Sequence, residues 1–151
     1  MSTGLRCNGG VSQTSEESNR RLLRARDAMD RTYAEPLNIA ALAAIALTSE
    51  AHFIRTFKAT FGETPHRYLQ RRRVERAMFL LRRTDRDVTA ICLDVGFSSL
   101  GTFSRTFRDI VGETPTAFRE RREMTGPVPA CFAMAWTRPS SFGEAHAKDR
   151  Q

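Results

Sequence analysis

An internal repeat constrains this chain more than any other feature. Phe53-Ile54-Arg55-Thr56-Phe57 recurs as Phe103-Ser104-Arg105-Thr106-Phe107, and Gly62-Glu63-Thr64-Pro65 recurs as Gly112-Glu113-Thr114-Pro115. Both blocks are displaced by the same 50 residues. Two unconnected motifs held in one phase mark a duplicated supersecondary unit. Carried backwards in that phase without a gap, Ala40-Ala41 faces Ala90-Ile91, and Leu47-Thr48-Ser49 faces Phe97-Ser98-Ser99. A chain of 151 residues has room for one domain or two small ones sharing a core.

Each copy reads as helix, tight turn, helix. In the second, Asp87 caps a helix whose inner face carries Ile91, Cys92 and Val95, at spacings that fall on one side of a helix. Gly96 follows, suited to positive φ past a helix end, and Ser98 stands where an N-cap belongs. The next helix buries Phe103 and Phe107 and stops at Gly112. The first copy repeats the plan, with Asn38 before Leu42, Ala43 and Ile45, then Thr48 or Ser49 as cap, Phe53 and Phe57 inward and Gly62 as the stop. In this alignment Ala46 faces Gly96, which predicts strain of roughly 1 kcal/mol at Ala46 if the turn needs positive φ.

Thr-Pro follows each stop, a sound helix start. The first such helix is expected from Thr64 to Arg83, roughly 30 Å long, with Val74, Ala77, Met78 and Leu81 inward. The second is expected from Thr114 to Glu123. A leading helix is expected over Ser15–Tyr33, started by a Thr14–Glu17 capping box and carrying the stripe Leu22, Ala25, Met29 and Tyr33. Residues 1–14 read as a flexible arm. From Met124 onward, Gly126, Pro127, Pro129 and Pro139 break helices, and the apolar stretch Ala130–Thr137 reads as an arm packed on the body in preference to a disordered tail or a partner-binding segment. The predicted fold is all-α: two tandem helix-turn-helix subdomains joined by a long linker helix.

The net charge of +7 points to a polyanionic partner. The basic residues are mostly arginine, suited to bidentate pairs with phosphate or guanine. No apolar run approaches a membrane span, the basic residues do not line one amphipathic helix, and no secretory signal is read at the N-terminus. A cytoplasmic location without membrane partners is expected. Cys7, Cys92 and Cys131 are scattered, so neither a metal site nor a disulfide framework is expected. No nucleophile–base pair or phosphate loop is visible, so neither enzymatic activity nor a cofactor is expected.

A helix-turn-helix pair presents a short helix to the major groove of double-stranded DNA. Two units linked by roughly 30 Å of helix match two groove faces about 34 Å apart, so a monomer is expected to span both. Arg55 and Arg105 hold the same place in the two copies, on the expected outer face, where base or phosphate contact is favoured over bridging between helices.

The segment from Leu37 to Arg122 resembles the DNA-binding domain of the AraC/XylS family of bacterial transcription regulators. The resemblance lies in Phe53-Ile54-Arg55-Thr56-Phe57-Lys58 with Gly62, Thr64-Pro65 and Tyr68-Leu69, then Val88 through Ser99, then Phe103 through Arg108 and Gly112-Glu113-Thr114-Pro115. It implies a homeodomain-like, seven-helix domain that binds two adjacent major-groove segments. The base-reading positions it implies are Ala51, His52, Ile54 and Arg55 in one copy and Gly101, Thr102, Ser104 and Arg105 in the other, with Lys58 and Arg108 as further DNA-binding residues of the same two helices. Candidate phosphate contacts are Thr48, Ser98, Thr64, Thr114, Arg71 and Arg72. Ala51 and Gly101 offer no side-chain donor, which leaves discrimination to Arg55 and Arg105, with DNA shape adding some. The chain resembles stand-alone members of the family, controlled by their amount, with RNA polymerase a further candidate partner. The rival reading is an interaction protein of weakened DNA specificity, acting through another regulator or polymerase.

Overall fold

The structure, a computed structural model, describes residues 9–125. Among them lie seven helices and no strand: α1 (Gly9–Arg31), α2 (Ile39–Ile45), α3 (Glu50–Phe61), α4 (Pro65–Arg83), α5 (Val88–Asp94), α6 (Leu100–Val111) and α7 (Pro115–Thr125). The chain divides into two compact units whose boundary, between Arg73 and Val74, falls inside α4.

In the first unit, Leu22, Ala25 and Met29 of α1 bury against Leu42, Ala43 and Ala46 of the α2 region, Phe53 and Phe57 of α3, and Tyr68 and Leu69 of α4. Phe57 is the hub: its ring meets Phe53 at 5.5 Å, Phe61 at 4.6 Å and Tyr68 at 5.6 Å, in tilted and edge geometries that favour aromatic pairs. The second unit repeats the motif. Phe107 meets Phe103 at 5.7 Å and Phe118 at 5.6 Å, and Val74, Ala77, Met78, Leu81, Ile91, Cys92 and Val95 are buried. The expected inner stripes of α4, α5 and α6 are therefore the observed ones.

Both second helices start and stop alike. Ser49 accepts from His52 N–H and Ser99 from Thr102 N–H, and Gly62 and Gly112 end the helices in the left-handed conformation. Each Thr-Pro start is also as expected: Thr64 Oγ1 accepts from Arg67 N–H and Thr114 Oγ1 from Ala117 N–H, with the prolines buried behind them.

The two turns differ by one residue. In the first unit Ala46 N–H bonds Leu42 O, Leu47 N–H bonds Ala44 O and Thr48 N–H bonds Ala43 O. The same three bonds in the second are Val95 to Ile91, Gly96 to Leu93 and Phe97 to Cys92. Leu47, not Ala46, is thus the counterpart of Gly96, and the second turn holds one extra residue before its cap. The cap expected at Ser98 is Ser99, and of the two candidates in the first unit, Thr48 and Ser49, the cap is Ser49. Ala46 has an ordinary helical φ of −78° and is buried, whereas Leu47 has φ +55°. The strain expected at Ala46 therefore lies on Leu47, a residue 70% exposed that gains little from burial. We expect Leu47→Gly to raise stability by up to about 1 kcal/mol by relieving left-handed strain, and Leu47→Ala, which keeps a Cβ, to give no such gain. Urea unfolding checks this, and equal midpoints for the two variants would contradict it.

Three further expectations need correction. Helix α1 begins at Gly9, so residues 9–14 of the expected arm are helical and Thr14 lies inside the helix. No capping box forms there; Glu17 instead accepts from Arg21 Nε at 3.2 Å, one turn on. Ile45, expected inside, is 39% exposed, and Ala46 takes the inward place. The expected packing of Ala130–Thr137 lies outside the described residues.

Candidate nucleic-acid interface

Each second helix turns its phenylalanines inward and a polar, basic face outward. On α3, Ala51, His52, Ile54, Arg55 and Lys58 are exposed; on α6, Gly101, Thr102, Arg105 and Arg108 are exposed and Ser104 is half-buried. Position 55 follows position 51 by one turn, as 105 follows 101, so each arginine shares a face with a residue of minimal side chain. Among the described residues, the side chains of Arg55, Lys58, Arg105 and Arg108 have no hydrogen-bond or ion-pair partner. Arg55 and Arg105 therefore do not bridge the helices of their units.

Two details pre-set this face. Ser99 Oγ accepts from Thr102 N–H and donates to Thr102 Oγ1 at 2.8 Å, so the Thr102 hydroxyl keeps its own proton for an outside acceptor. A methyl group added at Gly101 would meet no atom within 4 Å, so the packing within the protein does not require glycine there. Glycine in a helix interior costs about 1 kcal/mol relative to alanine. An unforced cost on the exposed face leaves room for close approach of another molecule's backbone or bases.

The candidate phosphate contacts fare unequally. Ser98 is exposed, and the Thr64 and Thr114 hydroxyls accept from their own helices while keeping their protons. The Thr48 hydroxyl donates to Ser49 O at 3.0 Å. Arg71 is drawn to Glu63, with N–O distances of 2.9 and 2.6 Å, and lies over the Tyr68 ring at 5.1 Å. Arg72 Nε donates to Asp30 at 2.8 Å, and Arg73 donates to the carbonyls of Tyr33 and Glu35 at 2.7 Å each. The Arg71–Arg73 run, which includes the candidate phosphate contacts Arg71 and Arg72, ties together elements of the first unit. Burial lowers the Arg73 pKa from its ordinary value. Burial, with a hydrogen bond to Asp30, keeps the Tyr68 phenol protonated well above the usual tyrosine range.

Sequence reasoning missed a second repeated device. Glu113 takes Arg121 at 2.5 Å as Glu63 takes Arg71, and Arg121 lies over Phe118 as Arg71 lies over Tyr68. The signal was available, since Arg71 and Arg121 stand in the same 50-residue phase as the glutamates. Among the described residues Arg71 pairs with Glu63, Arg72 with Asp30, Arg121 with Glu113 and Arg86 with Asp94.

Cys92 is buried, and burial pushes its thiol up, which leaves it a core residue. Among the described residues no group of three or more His, Cys, Asp or Glu side chains could hold a metal, and no helix is long and apolar enough to cross a membrane.

Against known proteins, residues 42–121, more than half of the chain, match the model of a helix-turn-helix domain. An uncharacterized HTH-type transcriptional regulator of Haemophilus influenzae is 42% identical over 62 residues, which are 41% of this chain and 21% of that protein. The matched part thus spans about a fifth of that relative. Among solved structures, a transcriptional regulator with an AraC-type DNA-binding domain from Chromobacterium violaceum is 33% identical, with a TM-score of 0.65, over 72% of this chain and 97% of that one. The DNA-binding domain of the global transcriptional factor AdpA, solved with a target DNA, is 28% identical with a TM-score of 0.66, over 71% and 96% of the two chains. Repeat, fold and relatives agree: the chain belongs to the AraC family of helix-turn-helix, DNA-binding transcription regulators.

Proposed function

We propose that α3 and α6 are two recognition helices, each entering a major-groove segment of one operator, and that the chain reads both as a monomer. The observation that carries this reading is the equivalence of Arg55 and Arg105: both are exposed, unpartnered among the described residues and set behind identical phenylalanine pairs. Each guanidinium suits a bidentate contact with the O6 and N7 of guanine. Ala51 and Ile54 suit the methyl group of thymine, and His52, Thr102 and Ser104 offer shorter-range polar contacts. Lys58 and Arg108, nearer the helix ends, suit phosphate, as do Ser98, Thr64 and Thr114. Arg71, Arg72 and Thr48 drop out of the phosphate set because the protein itself engages them. The AdpA domain, which has the same fold, was solved on its target DNA, and that supports the same mode here. The protein acts in the cytoplasm, with RNA polymerase a further partner.

Selection of sites from random DNA at physiological ionic strength, about 0.15 M, followed by footprinting, tests the reading. The expected result is a bipartite site with elements about 10 base pairs apart. A single element would leave one unit as a phosphate clamp, and no enrichment would favour the interaction-protein reading, which Ala51 and Gly101, with no donors to offer, make the rival.

A further inference from the structure

Helix α1 runs well beyond what the core of its unit requires. Its inward stripe is apolar and buried at Leu22, Ala25 and Met29. Continued toward the N-terminus at the same three- and four-residue spacing, that stripe becomes Ser18 and Ser15, with Asn19 beside them, and all three are exposed. The stripe therefore changes from core-forming to hydrogen-bonding as the helix leaves the core.

Opposite it lies recognition helix α3. A cleft of about 680 Å³ separates them, with Ser15, Ser18 and Asn19 on one wall and His52, Thr56 and Thr60 on the other. The Thr56 hydroxyl spends its proton on the His52 carbonyl at 2.8 Å. The side chains of Ser15, Ser18, Asn19, His52 and Thr60 have no partner among the described residues. No carboxylate lines the cleft, and its one charged side chain is Arg21, whose Nε donates to Glu17.

We propose that this cleft seats one sugar–phosphate strand of the DNA whose bases α3 reads, making the first turns of α1 a second wall of the DNA interface. The inference rests on α3 reading DNA and adds where the neighbouring strand lies. A phosphodiester offers only acceptors, and the unengaged groups here are donors of the kinds that commonly bond phosphate oxygens: hydroxyls, an amide and an imidazole. The position is also right in kind. His52 is both a wall of the cleft and a first-turn residue of the recognition helix, so a strand bordering the groove that α3 enters passes beside it. Homeodomains likewise use the segment before their first helix to reach DNA beside the recognition helix. Here that reach is helical.

The test uses the full chain and its selected operator. Ser15→Asp/Ser18→Asp places carboxylates on exposed helix positions, where folding tolerates them, and circular dichroism checks that. Against a phosphate strand they should weaken operator binding by about tenfold or more at low salt, with less effect as salt rises. Ser15→Ala/Ser18→Ala keeps the helix and removes two donors, and should weaken binding only a few-fold. Phosphate-ethylation interference should show one or two sensitive phosphates beside the element read by α3, and those same positions should lose sensitivity in both variants. Unchanged affinity and pattern in the aspartate variant, or weaker binding with the phosphate pattern intact, overturns the proposal; the latter would point to a cleft for a small polar ligand. If the wild-type chain selects no site at all, the reading of α3 fails first and the cleft's assignment goes with it.

Discussion

Phe107→Ala is expected to remove about 3–5 kcal/mol of stability, the usual range for deleting a buried phenylalanine. The residue has no exposed surface and joins α6 to α7: its ring meets Phe103 at 5.7 Å on its own helix and Phe118 at 5.6 Å across to the next. Phe118 in turn carries Arg82 at 4.8 Å and Arg121 at 5.7 Å on its faces. Truncation opens a cavity that rigid ring neighbours cannot collapse into, and a small domain holds only roughly 5–15 kcal/mol in all. Phe79→Ala is the control. That ring is 48% exposed and contacts the guanidiniums of Arg76 at 4.9 Å and Arg83 at 5.8 Å, so its loss should cost less than about 1 kcal/mol. Urea unfolding followed by circular dichroism compares the two. A loss under about 1 kcal/mol at Phe107 would contradict the packing described for the second unit.

Arg105→Ala should leave stability within about 0.5 kcal/mol of wild type, because the side chain is exposed and has no partner among the described residues. Its effect belongs to DNA: a loss of about 1–3 kcal/mol in operator binding and relaxed preference at one or two base pairs. Arg105→Lys separates charge from geometry. Lysine keeps the positive charge but lacks the planar fork, so it should retain much of the affinity while losing base preference. A loss spread evenly over all sequences, with the salt slope reduced by about one, would mark Arg105 as a phosphate contact.

The parts legible in the sequence were those written in periodicity. The paired phenylalanines of α3 and α6, the Gly-Glu-Thr-Pro stops and the inner stripe of α4 are spacing patterns, and the fold follows them. The one-residue difference between the turns was not legible. Ile39–Ile45 is built wholly from Ala, Ile and Leu, so it aligns as readily at one displacement as at the next. Only the hydrogen bonds show that Leu47 answers Gly96. The start of α1 was hidden for a related reason: Gly9-Gly10 is a poor helix opening by propensity, while Thr14 with Glu17 imitates a good one. Arg72 illustrates the limit for the candidate interface. Its partner, Asp30, lies 42 residues away in sequence, and no local pattern reveals such a pairing. The outward faces of α3 and α6 were legible as surfaces, but the choice of reading positions on them came from the family resemblance.

The central claim is that one chain carries two independent reading heads. Site selection with Arg55→Ala and Arg105→Ala, side by side with wild type, tests it most directly. Each variant should lose base preference in one element of a bipartite site, a different element for each, and keep the other intact. Loss of preference in the same element for both variants, or in neither, would contradict it.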